Sequence, residues 1–86
     1  MNEKEKVLRA LANKRRLAIV KYLKSKEEAT VSDISEEIKL SFRSTSRHLA
    51  ILFATSIVAR TQKGLEVYYR LFDFPSPFAS SILRLI

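Results

Sequence analysis

Four hydroxyls, two arginines and the only histidine of the chain fall within one short run, LSFRSTSRHLAIL at residues 40–52. Three kinds of chemistry use such residues. In the first, Ser44 or Ser46 is a nucleophile and His48 its base. Residues two or four apart on a helix can approach, but no carboxylate stands nearby to orient the ring. In the second, His48 binds a metal. A single histidine without cysteine or clustered acids falls short of the three or four ligands a site needs. In the third, Arg43 and Arg47 read a polyanion. They stand four apart and project together from one helix face, with Phe42 and Ser46 beside them. Arginine takes guanine O6 and N7 bidentately in a DNA major groove, which admits one helix. The third chemistry needs nothing that the sequence lacks. No catalytic residue, metal or cofactor is expected.

The elements that must carry this run are legible from periodicity. Val7, Leu8, Leu11 and Ala12 form an apolar stripe, so residues 3–12 read as a helix behind an Asn2 cap. Asn13 can cap a second helix with Leu17, Ile19, Val20 and Leu23 inward, running to about Ser25. Thr30-Val31-Ser32-Asp33 is a capping box that opens a short third helix carrying Ile34 and Ile38. It should end near Lys39, because Ser41 caps a fourth helix over Phe42–Ala54. There Thr45, Leu49 and Leu52 face the domain, and Phe42, Arg43, Ser46, Arg47 and Ala50 face away. Two helices joined by a turn of roughly three residues are the plan of a helix-turn-helix.

After this the period changes to two. Ile57–Gln62 is one strand. Leu65, Val67, Tyr69 and Leu71 alternate with Glu66, Tyr68 and Arg70 in a second. Lys63-Gly64 lies between them and uses the only glycine of the chain where a hairpin needs positive φ. One of the neighbours Tyr68 and Tyr69 faces inward. Ser76-Pro77 then caps a terminal helix, residues 77–86, rich in apolar side chains. The expected fold is mainly α with a small β-hairpin: one winged helix-turn-helix domain over residues 1–86. Its helix-turn-helix covers about 31–54 and its wing about 57–71, with an added helix at each end.

Composition agrees with a binding role. Sixteen Lys and Arg against nine Asp and Glu give a net charge of +7. The excess is local: Ala29 to Leu40 carries three acids and one base, Ser41 to Arg70 five bases and one acid. From Phe42 to Gln62 there is no Asp or Glu. An 86-residue chain buries only roughly 60% of its unfolded surface, so a second copy is expected to cover what is left. No apolar run approaches the ~18 residues of a membrane span, and the start of the chain has no apolar signal core, so a cytoplasmic protein is expected.

LANKRRLAIVKYL, TVSDISEEIKLSFRSTSRHLAIL and the hairpin ending VYYRL together resemble the ArsR-type winged-helix transcriptional regulators, over about residues 7–72. The Ser-x-x-Ser-x-Ser-Arg-His-Leu pattern and the VYYRL strand carry the resemblance. It implies a homodimeric repressor that binds operator DNA and releases it on a signal. The metal-sensing members place Cys-x-Cys before the Asp of the third helix, where this chain has Thr30 and Ser32. Hydroxyls are poor ligands for thiophilic ions, so that site is absent. Nor does the terminal helix hold the His and acids of the second family site. Lys39 and Ser56 stand where glycine is usual, and Thr45 where an aliphatic residue is usual.

The expected roles follow. Arg43 and Arg47 read base edges, and Phe42 or Ala50 touches a thymine methyl. Ser41, Ser44, Ser46 and the first amides of the helix meet phosphates. Arg60 and Lys63 on the wing meet backbone or minor groove. The resemblance adds Arg16 as a phosphate anchor and leaves Lys14 and Arg15 open. His48 either packs against the third helix or reaches a phosphate. Val7, Leu8, Leu11, Phe78, Ile82, Leu85 and Ile86 are expected at a two-fold interface. The partner is then double-stranded DNA, read as an imperfect palindrome with half-sites one turn, about 34 Å, apart. A protein-docking module anchored on Phe42, or a sequence-indifferent architectural protein, are the alternatives. No inducer is legible.

Overall fold

A computed structural model describes residues 2–86 and shows five helices and three strands in the order α1 (Glu3–Leu11), α2 (Lys14–Lys24), β1 (Ala29–Thr30), α3 (Val31–Ile38), α4 (Phe42–Ala54), β2 (Val58–Lys63), β3 (Glu66–Leu71) and α5 (Pro77–Leu85). Each helix start is fixed by a short polar side chain. Asn2 accepts from the Glu5 amide, and Asn13 accepts from those of Arg15 and Arg16 at 2.9 and 3.1 Å. Thr30 and Asp33 form the expected reciprocal box, at 3.1 Å in both directions. Ser41 accepts from the Ser44 amide, and Ser76 from that of Ala79, ahead of Pro77 at the first helical position.

The strands form an antiparallel sheet in the order β1-β3-β2. β1 was not expected. It is two residues long, too short to show a period, and it pairs Ala29 with Tyr69 and Thr30 with Tyr68. In the hairpin Lys63 pairs with Glu66, so the two turn residues are Gly64 and Leu65. Gly64 has φ 63° at the first of them, the position where a type II′ turn takes glycine. Leu65 therefore stands fully exposed at the tip, not inward as the alternation suggested. Tyr69 faces the core, and Tyr68 lies on the opposite side of the sheet.

Thr45, Leu49 and Leu52 seat α4 on a core that includes Ile19, Leu23, Ile34 and Ile57, all essentially without solvent contact. The turn between α3 and α4 is three residues, Lys39 to Ser41, and closes with a Leu40 amide bond to the Ser35 carbonyl at 3.1 Å. Lys39 sits at φ 55° and Ser56 at φ 57°. Both keep the left-handed backbone that glycine would take more cheaply.

Two expectations about packing change. Leu17 is exposed. At 100° per residue it stands about 200° from Ile19, so the two cannot share an inner face. Val7 and Leu11 are buried in the protomer's own core and are not available to a second copy. Leu8 and Leu85 are exposed, and Phe78, Ile82 and Ile86 are half-buried along α5. Among the described residues no helix is long and apolar enough to cross a membrane.

Candidate nucleic-acid interface

The outer face of α4 is built as its spacing implies. Phe42, Arg43, Arg47 and Ala50 are exposed, and Ser44 and Ser46 are half-buried on either flank. Phe42 keeps 59% of its surface in solvent, far more than an aromatic ring with a place in the core. Among the described residues neither Arg43 nor Arg47 pairs with a carboxylate or spends its guanidinium on another group. Because Ser41 caps the Ser44 amide and the Ser41 carbonyl receives the Thr45 amide, the open N–H groups of the first turn are those of Phe42 and Arg43. The Ser41 oxygen is thus already an acceptor, and what it can offer an anion is its O–H.

The wing supports this face differently from expectation. Arg60 lies with its guanidinium 4.0 Å from the centre of the Phe53 ring, on the flank of α4 that β2 covers. Phe53 was not foreseen. Its partner is an exposed strand residue, and local spacing carries no signal for such a contact. Lys63 does not extend freely from the tip. It is ion-paired with Glu28, just before β1, and its ammonium lies 4.9 Å from the Tyr68 ring. Arg70 bonds the Thr61 hydroxyl at 2.9 Å and stands 3.6 Å from Asp73.

On the opposite flank the arginines of α2 are engaged inside the protein. Arg16 donates to the carbonyls of Arg9 and Ala10 and contacts His48 Nδ1 at 3.1 Å. Three of its five N–H donors are thus engaged within the protein, at the position where the resemblance implied a phosphate anchor. Arg15 donates to the Ile38 carbonyl at 3.2 Å and so closes the end of α3. His48 is half-buried, and its ring meets Arg16 of α2. Burial first, then the charges of Arg16, Arg15 and Arg47, lower its pKa below the usual imidazole range. Neither Ser44 nor Ser46 hydrogen-bonds this ring, so the nucleophile–base pair considered from the sequence is not assembled. Among the described residues no three His, Cys, Asp or Glu side chains converge. Thr30 and Asp33 are committed to the capping box.

A basic helix facing away from the domain, preceded by a short helix and a three-residue turn and flanked by a hairpin, defines a winged helix-turn-helix regulator. Known structures and families agree. The chain is 30% identical to HlyU from Vibrio cholerae, with a TM-score of 0.82 over 96% of this chain and 86% of that one. The transcriptional repressor PagR of Bacillus anthracis is similar at 28% identity and a TM-score of 0.78, over 96% and 91% of the two chains. The homodimeric winged helix-turn-helix DNA-binding domain Mb0332 from Mycobacterium bovis is similar at 26% and 0.81, over 96% and 73%. A sequence search among curated proteins finds no significant match. The model of the bacterial regulatory protein arsR family matches residues 13–58, and the chain belongs to that family.

Proposed function

We propose that this chain is a homodimeric repressor of transcription that reads an imperfect palindrome through α4. One observation carries it. Arg43 and Arg47 project together, unpaired, from a helix face with no acid between Phe42 and Gln62, beside a wing arginine stacked on the same helix. A solvated helix face ordinarily mixes its charges. Arg43 and Arg47 meet base edges, with Phe42 or Ala50 against a thymine methyl. The open amides of Phe42 and Arg43, with the hydroxyls of Ser41, Ser44 and Ser46, meet phosphates. Arg60 meets the backbone beside the wing, and Lys63 joins it once it has left Glu28.

PagR is described as a repressor and Mb0332 as homodimeric, which supports both parts of the proposal. Leu8, Leu85 and the half-buried Phe78, Ile82 and Ile86 supply the interface between copies, while Val7 and Leu11 support it from within. Such a protein works where bacterial DNA is, in the cytoplasm, and catalyses no reaction. The test is selection of bound duplexes from random-sequence DNA. Two half-sites about one helical turn apart are expected. Recovery of no common sequence, or a stable monomer in sedimentation at micromolar concentration, would contradict the proposal.

A further inference from the structure

Arg16 of α2 joins α1 to α4, and among the described residues no other polar side-chain contact links those two helices. Its Nε and Nη2 donate to the carbonyls of Ala10 and Arg9, which lie in the last turn of α1 and have no amide partner within the helix. Its Nη1 meets His48 Nδ1 at 3.1 Å. A guanidinium has donors and no acceptor, so the direction of that bond is fixed. Nδ1 must carry the lone pair, and the ring proton must sit on Nε2. Among the described residues Nε2 has no hydrogen-bond partner, and it is not one of the unpaired buried polar atoms, so its N–H is left for a partner outside the protomer. His48 follows Ser44 by one helical turn and adjoins Arg47, on the flank of α4 turned toward α2.

We propose that Arg16 is a positioning residue for DNA binding: held by the Arg9 and Ala10 carbonyls, it locks His48 in the Nε2–H tautomer and aims that N–H at a backbone phosphate. This rests on the DNA-binding function proposed above. The recognition helix is then braced on both flanks. Arg60 is set by Phe53 on the wing side, and His48 by Arg16 on the α2 side. The ring acts as an uncharged donor of fixed direction, because burial and the neighbouring Arg16, Arg15 and Arg47 disfavour its protonated form.

His48 is the only histidine, so an imidazole ¹⁵N–¹H correlation spectrum reports on it without assignment. At pH about 7.5, above the ordinary imidazole range, the folded chain should show the Nε2–H tautomer, and Arg16→Lys should return it to a mixture. On a duplex recovered by selection, Arg16→Lys should weaken binding about tenfold, the scale of one hydrogen bond to a charged group. In a His48→Ala background the same change should cost less than about twofold, because the two residues act in series. Equal losses in both backgrounds would mean that Arg16 itself touches DNA and would overturn the proposal. So would an Nδ1–H or mixed tautomer in the unaltered chain. If Arg16→Lys does not fold, that spectrum and a loss of about tenfold for folded His48→Ala decide the matter. A chain that binds no duplex overturns the DNA-binding function and this proposal together. A missing tautomer lock with DNA binding intact overturns this proposal alone.

Discussion

Lys63, beside the tip of the wing, is ion-paired with Glu28, so the foremost positive charge of the hairpin is already matched within the protomer. The pair is partly exposed and closes over the face of Tyr68. Binding DNA through this lysine requires exchanging a carboxylate for a phosphate, and the exchange reduces what the contact contributes. Glu28→Gln should therefore raise affinity for duplex DNA by about two- to fivefold, the range of a surface ion pair, and steepen its salt dependence. Fluorescence anisotropy across a salt series measures both. Weaker binding by Glu28→Gln would show that the pair instead positions the wing.

Thr45 supplies a test of the seat beneath the recognition helix. Its hydroxyl is fully buried and has no hydrogen-bond partner. Leaving such a group unpaired costs about 1–3 kcal/mol, and valine fills nearly the same volume without it. Thr45→Val should stabilise the fold by about 1 kcal/mol and raise the melting temperature by roughly 4–8 °C. DNA affinity should not change, since the residue is wholly inside. A lower melting temperature would mean that the hydroxyl has a partner, such as a bound water.

Lys39 and Ser56 hold left-handed backbone at the two turns that set the angle of α4. An L-residue there costs about 1–2 kcal/mol, of which glycine's freedom in the unfolded chain gives back part. Lys39→Gly and Ser56→Gly should each stabilise by up to about 1 kcal/mol, read from urea midpoints at unchanged slope. Lower midpoints would show that the side chains contribute more than their backbone costs.

Much of this architecture was legible because it is local. Caps at Asn2, Asn13, Thr30, Ser41 and Ser76 depend on neighbours three residues away, and the faces of α4 follow from its period. What was not legible depends on distance. β1 exists only because Tyr68 and Tyr69 offer it an edge, and no periodicity announces a two-residue strand. Arg16 matched a family arginine, and its position did not show that it turns inward to α1 and His48. Glu28 and Lys63 are 35 residues apart, and Phe53 and Arg60 lie on different elements. Hydrophobicity alone misplaces Leu17 and Leu65: the first stands about 200° from Ile19 around its helix, and the second occupies the hairpin turn.

Acid should weaken the fold through His48. Its folded pKa is lowered, by burial first and then by Arg16, Arg15 and Arg47. As pH falls through the ordinary imidazole value of about 6.5, the unfolded chain takes up a proton that the folded ring refuses. Stability is therefore complete above that value and declines as pH falls toward the folded pKa. Carboxylates also titrate in acid, so the comparison is with His48→Gln. Between pH about 7.5 and about 5 the unaltered chain should lose more melting temperature than the variant. Parallel curves would mean that the ring titrates alike in both states.

The most direct measurement is duplex binding by the unaltered chain and by an Arg43→Ala, Arg47→Ala double variant, each from about 50 to 200 mM salt. The unaltered chain should lose at least about tenfold in affinity across that range. The double variant, folded and with its core untouched, should bind about a hundredfold or more weakly, as two base-reading arginines imply. Undiminished binding by the double variant, or affinity indifferent to salt, would contradict the assignment of α4 as the surface that reads DNA.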